Sequence, residues 1–165
     1  MNAPQSPAVA PTPAPALAPA PAHRLAHADD RVARFVALFE HLTPGHLPQL
    51  GEFYAEQARF VDPFNDVTGL AGIRAVFEHM FRTVDTPRFV VREVLQDGER
   101  CFLTWDFHLR LRGRPECVHG GSLLHFDAQG RVRLHRDYWD AAGELYEKLP
   151  LLGSLMRWLK RQASS

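Results

Sequence analysis

Apolar residues fall at helical spacing in DDRVARFVALFEHL, where Val32, Phe35, Val36, Phe39 and Leu42 share one face behind an acidic start. That stripe predicts an amphipathic helix whose opening carboxylates suit the positive end of the helix dipole. Thr43-Pro44-Gly45 ends it and begins a shorter helix through His46 to about Tyr54, with Leu47, Leu50 and Phe53 as its apolar side. Ala58 to Asp62 reads as a short strand, stopped by Pro63 and the turn-rich PFND. A third helix, from about Ala71 to Thr83, carries Ile73, Val76, Phe77, Met80 and Phe81 on one stripe.

Beyond it the period changes to two. Arg88 to Leu95 alternates, Gln96-Asp97-Gly98-Glu99 is a hairpin signal, and Arg100 to Leu111 returns. A turn at Arg112 to Pro115 leads into Glu116 to Phe126, and Asp127-Ala128-Gln129-Gly130 leads into a last strand ending at Asp140. Three helices followed by a strand meander predict an α+β fold, with helices gathered on one face of a curled antiparallel sheet. Gly120-Gly121 inside a strand suggests a bulge or sharp bend in that sheet. On the last strand, alternation puts His135, Asp137 and Trp139 on one side and Val132, Leu134, Arg136 and Tyr138 on the other. A carboxylate beside a large aromatic is how the wall of a polar-tipped pocket looks.

The ends of the chain differ from this middle. Residues 1–26 are almost all Ala and Pro, too poor in groups to bury for a fold, and read as an extended disordered tail. A secretory signal is excluded there by the missing basic start and the interrupting prolines. Residues 27–140 form the predicted domain, and residues 141–165 a helical extension whose leucines oppose Arg157, Lys160 and Arg161. That extension reads as a lid across the open end of the sheet, favoured by its broad apolar face, or as a helix on a membrane surface. Basic and acidic residues balance at 19 each, without the bias of a nucleic-acid binder. Cys101 and Cys117 fall out of register on consecutive strands, which predicts reduced thiols and a cytoplasmic protein.

The order of elements, with Phe60-Val61-Asp62-Pro63, the GLAGIRAVF segment 69–77 and His135-Arg136-Asp137-Tyr138-Trp139-Asp140, resembles the SnoaL-like branch of the nuclear transport factor 2 superfamily. Steroid isomerases, limonene epoxide hydrolase and polyketide cyclases belong to the same superfamily. The resemblance implies a cone-shaped sheet closed by helices around an apolar pocket, a small hydrophobic ligand, and a homodimer. It places Asp62 where steroid isomerases carry their general base, and Asp106 and Asp137 at two aspartates of the epoxide hydrolase. Thr104 stands at the arginine bridging those two carboxylates, and Phe60 at a water-positioning tyrosine. Phe35 and Ser122 stand at the two oxyanion-hole residues of the isomerase. Neither relay is therefore complete in this chain.

Chemistry alone selects Asp62, Asp106, His108, His135 and Asp137 as catalytic candidates, because carboxylates and imidazoles converging in an apolar hollow suit general acid and base work. Phe35, Phe60, Thr104, Ser122 and Trp139 are the expected pocket lining, while parity turns Trp105 away from Asp106. No phosphate loop, nucleophile elbow or metal-ligand spacing is present, so no cofactor or metal is expected. Two functions stay open. One is a cofactor-independent isomerase, cyclase or hydrolase acting on a small apolar molecule; the other is a non-catalytic binder of a hydrophobic ligand or a partner protein.

Overall fold

The computed structural model describes residues 29–111 and 113–141. The expectations for residues 1–26 and for the C-terminal helix lie outside these residues. Helix α1 spans Asp30–Glu40, a 3₁₀ segment Pro44–Glu52, and helix α2 Leu70–Thr83. The strands are β1 (Tyr54–Val61), β2 (Asp66–Thr68), β3 (Asp85–Asp97), β4 (Arg100–Leu111), β5 (Arg114–Phe126) and β6 (Val132–Trp139). They form one curved, open sheet in the order β2-β1-β6-β5-β4-β3, the predicted α+β architecture. All neighbours are antiparallel except β1 and β6, which run parallel and bring the two ends of the domain side by side.

Helix α1 starts where Asp29 caps it. The Asp29 Oδ1 accepts from the backbone N–H of Arg31 at 3.0 Å and of Val32 at 3.2 Å, meeting two of the orphan donors of a helix start. Gln96, beside the β3–β4 turn, exchanges two hydrogen bonds with the same residue, through Asp29 N–H and Oδ2, and ties α1 to the sheet. All five residues of the predicted stripe, Val32 to Leu42, are buried against the concave face. At about 25 cal/mol per Å² of apolar surface, such a face supplies several kcal/mol and holds the helix on the sheet.

Strand β4 decides which side of the sheet faces the helices. Its odd positions, Cys101, Leu103, Trp105 and Leu109, are buried, whereas Phe102 and Arg110 are exposed. Across the ladder Trp105 pairs with Gly120 and Leu103 with Ser122. The pairing passes through Gly120 and Gly121 without a register shift, so the two glycines mark no bulge. They make room instead: a Cβ at 120 would collide with the Trp105 ring, and one at 121 with Phe102 on the opposite face.

Bulges occur elsewhere. One in β6, between its pairings with His125 and Phe126, inserts Arg133 and resets the alternation. Val132 therefore turns inward with His135 rather than outward with Leu134, which corrects the uniform parity expected for that strand. Tyr54, expected near the end of the second helix, is the first residue of β1 and fully buried. Strand β2, inside the turn-rich segment, had no sequence signal of its own.

Candidate active site

His135 on β6 is almost completely buried and is ringed by Phe35, Phe39 and Phe60, whose ring centroids lie 5.7, 5.5 and 4.9 Å away in edge-on contact. Its two nitrogens both have partners. Nδ1 lies 2.7 Å from the Tyr54 hydroxyl and Nε2 2.8 Å from Asp137 Oδ1. Burial, reinforced by the Asp137 charge, pushes the Tyr54 hydroxyl well above its ordinary pKa, so it stays protonated and acts as a donor. The consistent assignment has Tyr54 O–H donating to Nδ1 and Nε2–H donating to Asp137.

A second chain reaches the same carboxylate from β4 and β5. Trp105 Nε1 donates to Ser122 Oγ at 2.9 Å, and Ser122 Oγ donates to Asp137 Oδ1 at 2.5 Å. Both chains are fully directional and both end on one oxygen. Such a satisfied network in low dielectric fixes the rotamers of its members. Among the described residues, Oδ2 of Asp137 takes no hydrogen bond.

That carboxylate forms part of the wall of a cavity of about 330 Å³ between α2 and the concave face of the sheet. Aromatic rings dominate the wall, among them Phe60, Phe77, Trp105, Phe107 and Trp139. Trp139 meets Phe64 edge-on at 5.4 Å where β6 approaches the loop after β1. Phe35 and Ser122 line a narrower void of about 20 Å³ behind Asp137, a space of the order of one water molecule.

Asp62 also faces the large cavity, but its carboxylate is committed to its own turn. Oδ1 accepts from the backbone N–H of Phe64 at 2.7 Å and of Asn65 at 2.6 Å, and the Asn65 amide donates to both oxygens. This is the Asx-turn chemistry that PFND demands. Asp62 shapes the rim of the cavity.

Asp106, His108 and Thr104 do not join this group. They occupy even positions of β4, on the face of the sheet away from the cavity. The expected convergence of three carboxylates is thereby corrected, because the room that Gly120 leaves for an indole turns Trp105 inward and its neighbours outward. Asp106 instead bridges Arg92, whose Nε donates at 2.6 Å and whose Nη2 also contacts it, and His119 Nδ1 at 2.7 Å. Burial raises its pKa, but the hydrogen bonds from His119 and Arg92 outweigh that, and the net shift is downward. His108 lies opposite Cys117, and donor atoms of Asp106, His108 and Cys117 come within 4.8 Å of one another. This is the donor set among the described residues that could hold a metal, with Asp106 already engaged by Arg92 and His119. Neither cysteine forms a disulfide with the other; Cys101 faces Leu124 and Cys117 faces His108 across the β4–β5 ladder.

Tyr54 and Trp105 are the site residues that sequence reasoning missed or discounted. The odd-numbered apolar run of β4 carried the signal for Trp105; nothing local marked Tyr54, whose role depends on the parallel β1–β6 pairing.

No helix among the described residues is long and apolar enough to cross a membrane. No curated protein matches the chain. Solved structures do. A ketosteroid isomerase-like protein from Catenulispora acidiphila, in complex with trimethylamine, aligns with a TM-score of 0.60 at 17% identity, over 70% of this chain and 89% of that one. A nuclear transport factor 2-like protein of unknown function from Burkholderia pseudomallei aligns at 0.61 and 19% identity, over 68% and 90%. TerC co-crystallised with polyporic acid aligns at 0.60 and 16%, over 68% and 91%. At these identities the likeness concerns the fold. The sequence model of the SnoaL-like domain matches residues 23–135, most of the chain, and the protein belongs to the SnoaL-like family.

Proposed function

We propose that the protein performs general acid–base chemistry on a small, largely apolar molecule held in the aromatic cavity, in the manner of an isomerase, cyclase or hydrolase, with Asp137 as the base. The supporting observation is the division of labour on that carboxylate. Oδ1 is anchored by Ser122 and His135, Oδ2 takes no hydrogen bond among the described residues, and Asp137 borders the cavity. Ser122 and His135 act as positioning residues, with Trp105 and Tyr54 one bond behind them. A base oriented in this way needs no reorganisation when substrate arrives.

The experiment is to identify by native mass spectrometry what the purified protein retains, then to assay turnover of that molecule. Asp137→Asn keeps an acceptor for Ser122 and His135 but removes the base, and turnover is expected to fall by about 10²–10⁴. Unchanged turnover in a correctly folded Asp137→Asn protein would remove the base assignment.

A second reading, ligand binding without turnover, draws support from the commitment of Asp62 to its turn, which leaves Asp137 without a second unengaged carboxylate in the cavity among the described residues. The Catenulispora and TerC structures hold small molecules of unlike chemistry, trimethylamine and polyporic acid, in the same fold. The fold therefore does not select the ligand; the cavity wall must.

A further inference from the structure

The cavity wall has a one-sided chemistry. Among the described residues its ionisable groups are Asp62, Asp137 and His79, with no Lys or Arg. Of its side-chain donors, Trp105 is engaged by Ser122, Asn65 by Asp62 and Thr83 by the carbonyls of His79 and Met80. The ring N–H groups of His79 and Trp139 remain. Against these stand two carboxylates and a wall rich in aromatic rings, with Phe60, Phe77, Phe89, Trp105, Phe107 and Trp139 all contributing.

An aromatic ring carries a negative face and a positive edge, and a cation close to a face is attracted, most strongly by indole. A carboxylate in a poorly hydrated pocket adds a counter-charge whose influence on a desolvated ligand is far greater than in water. The same arrangement repels a ligand carboxylate or phosphate, which would find no guanidinium or ammonium partner among the described residues of the wall. A neutral ligand gains the apolar contacts but brings no counter-charge to Asp137 on the wall.

We propose that the cavity selects an organic cation, a quaternary or protonated amine with apolar substituents, seated between the aromatic faces with Asp137 as its counter-ion. This rests on the cavity being the ligand site, as proposed above, and adds the charge of the ligand to it.

The test uses two probes matched atom for atom, benzyltrimethylammonium and neopentylbenzene, in which carbon replaces the charged nitrogen. A third, 3-phenylpropanoate, carries the opposite charge. Binding is followed through the indole N–H resonances of Trp105 and Trp139, assigned by single Trp→Phe variants. The cation is expected to bind at least tenfold more tightly than the neutral isostere and to move both indole signals, while the anion leaves them unmoved. Asp137→Asn should reduce the cation preference to less than threefold, and Trp139→Leu should weaken the cation more than the isostere. Equal or tighter binding of the neutral probe overturns the charge assignment while leaving the ligand site intact. A cation preference that survives Asp137→Asn also overturns it. Failure of all three probes to move either indole overturns both the charge assignment and the reading of the cavity as a ligand site.

Discussion

Gly120 supports the hydrogen-bond network around Asp137 without belonging to it, and Gly120→Ala tests the whole arrangement. A methyl carbon there would sit 2.6 Å from Trp105 Cζ2 and 2.8 Å from Cζ3, and closer still to Cη2. The ring cannot retreat easily. It is 6% exposed, its Nε1 is bonded to Ser122, and Phe89 packs edge-on against it at 5.6 Å. Overpacking of this kind costs about 1–3 kcal/mol, and displacement of the indole breaks a buried hydrogen bond worth about 1 kcal/mol more. Replacing a strand glycine by alanine returns about 0.5–1 kcal/mol of backbone entropy. The net loss is about 2 kcal/mol, which for a domain of this size lowers Tm by roughly 6–10 °C. Gly121→Ala is the internal control. Its methyl would meet Phe102 at 2.7 Å, but Phe102 is 37% exposed and can swing away, leaving a 3.0 Å approach to the Leu103 carbonyl as the main strain. Urea unfolding of both variants, repeated in a Trp105→Leu background, separates the causes as a double-mutant cycle. If Gly120→Ala costs as much in the Trp105→Leu background as with the indole present, or costs no more than Gly121→Ala, the glycine does not exist to seat the indole.

Other outcomes follow from the same geometry. Tyr54→Phe removes the donor to His135 Nδ1 and leaves a buried acceptor unmet, a cost of about 1–3 kcal/mol measurable by urea unfolding. The carboxyl of Asp29, lowered to about 2 chiefly by its hydrogen bond from Arg31, contributes stability that is complete above 3.8 and is lost as pH falls through 2. Asp29→Ala should therefore cost about 1 kcal/mol at neutral pH as a lost helix cap and flatten the acid limb of a stability–pH profile; a limb of unchanged slope would contradict this. Burial raises the Cys101 thiol to about 11, so a thiol reagent at pH 8 should label it only as fast as the protein unfolds, with labelling by mass spectrometry under native and urea conditions as the check. Asp106→Asn, on the far face, should leave ligand uptake in the cavity unaltered, and a loss of uptake would show that the two faces are coupled.

The order of most helices and strands was legible because each depends on a local period; β6, whose bulge resets its alternation, and β2, with no signal of its own, are the exceptions. The stripe from Val32 to Leu42 is buried, and the limits of β4 fall at Arg100 and Leu111 as the alternation and turns required. The site was less legible because it depends on which of two faces turns inward, and alternation alone gives a pair of sets without saying which set is inside. For β4 the chemistry of Asp106 and His108 argued for one set. The volumes argued for the other: Cys101, Leu103, Trp105, Phe107 and Leu109 form an unbroken apolar series, and counting across the turn puts Gly120 opposite Trp105. A vacancy facing an indole is a packing constraint that a carboxylate on the neighbouring position cannot override, since Asp106 finds Arg92 and His119 on the outer face while the Trp105 ring has no other space to fill. The contribution of Tyr54 lay beyond any local count, because residues 54 and 135 meet only through the parallel β1–β6 pair, and their hydrogen bond spans 81 positions of the chain. Reading size before charge on each strand would have turned Asp106 outward and left Asp137, with Ser122 across the ladder from it, as a carboxylate of the cavity wall.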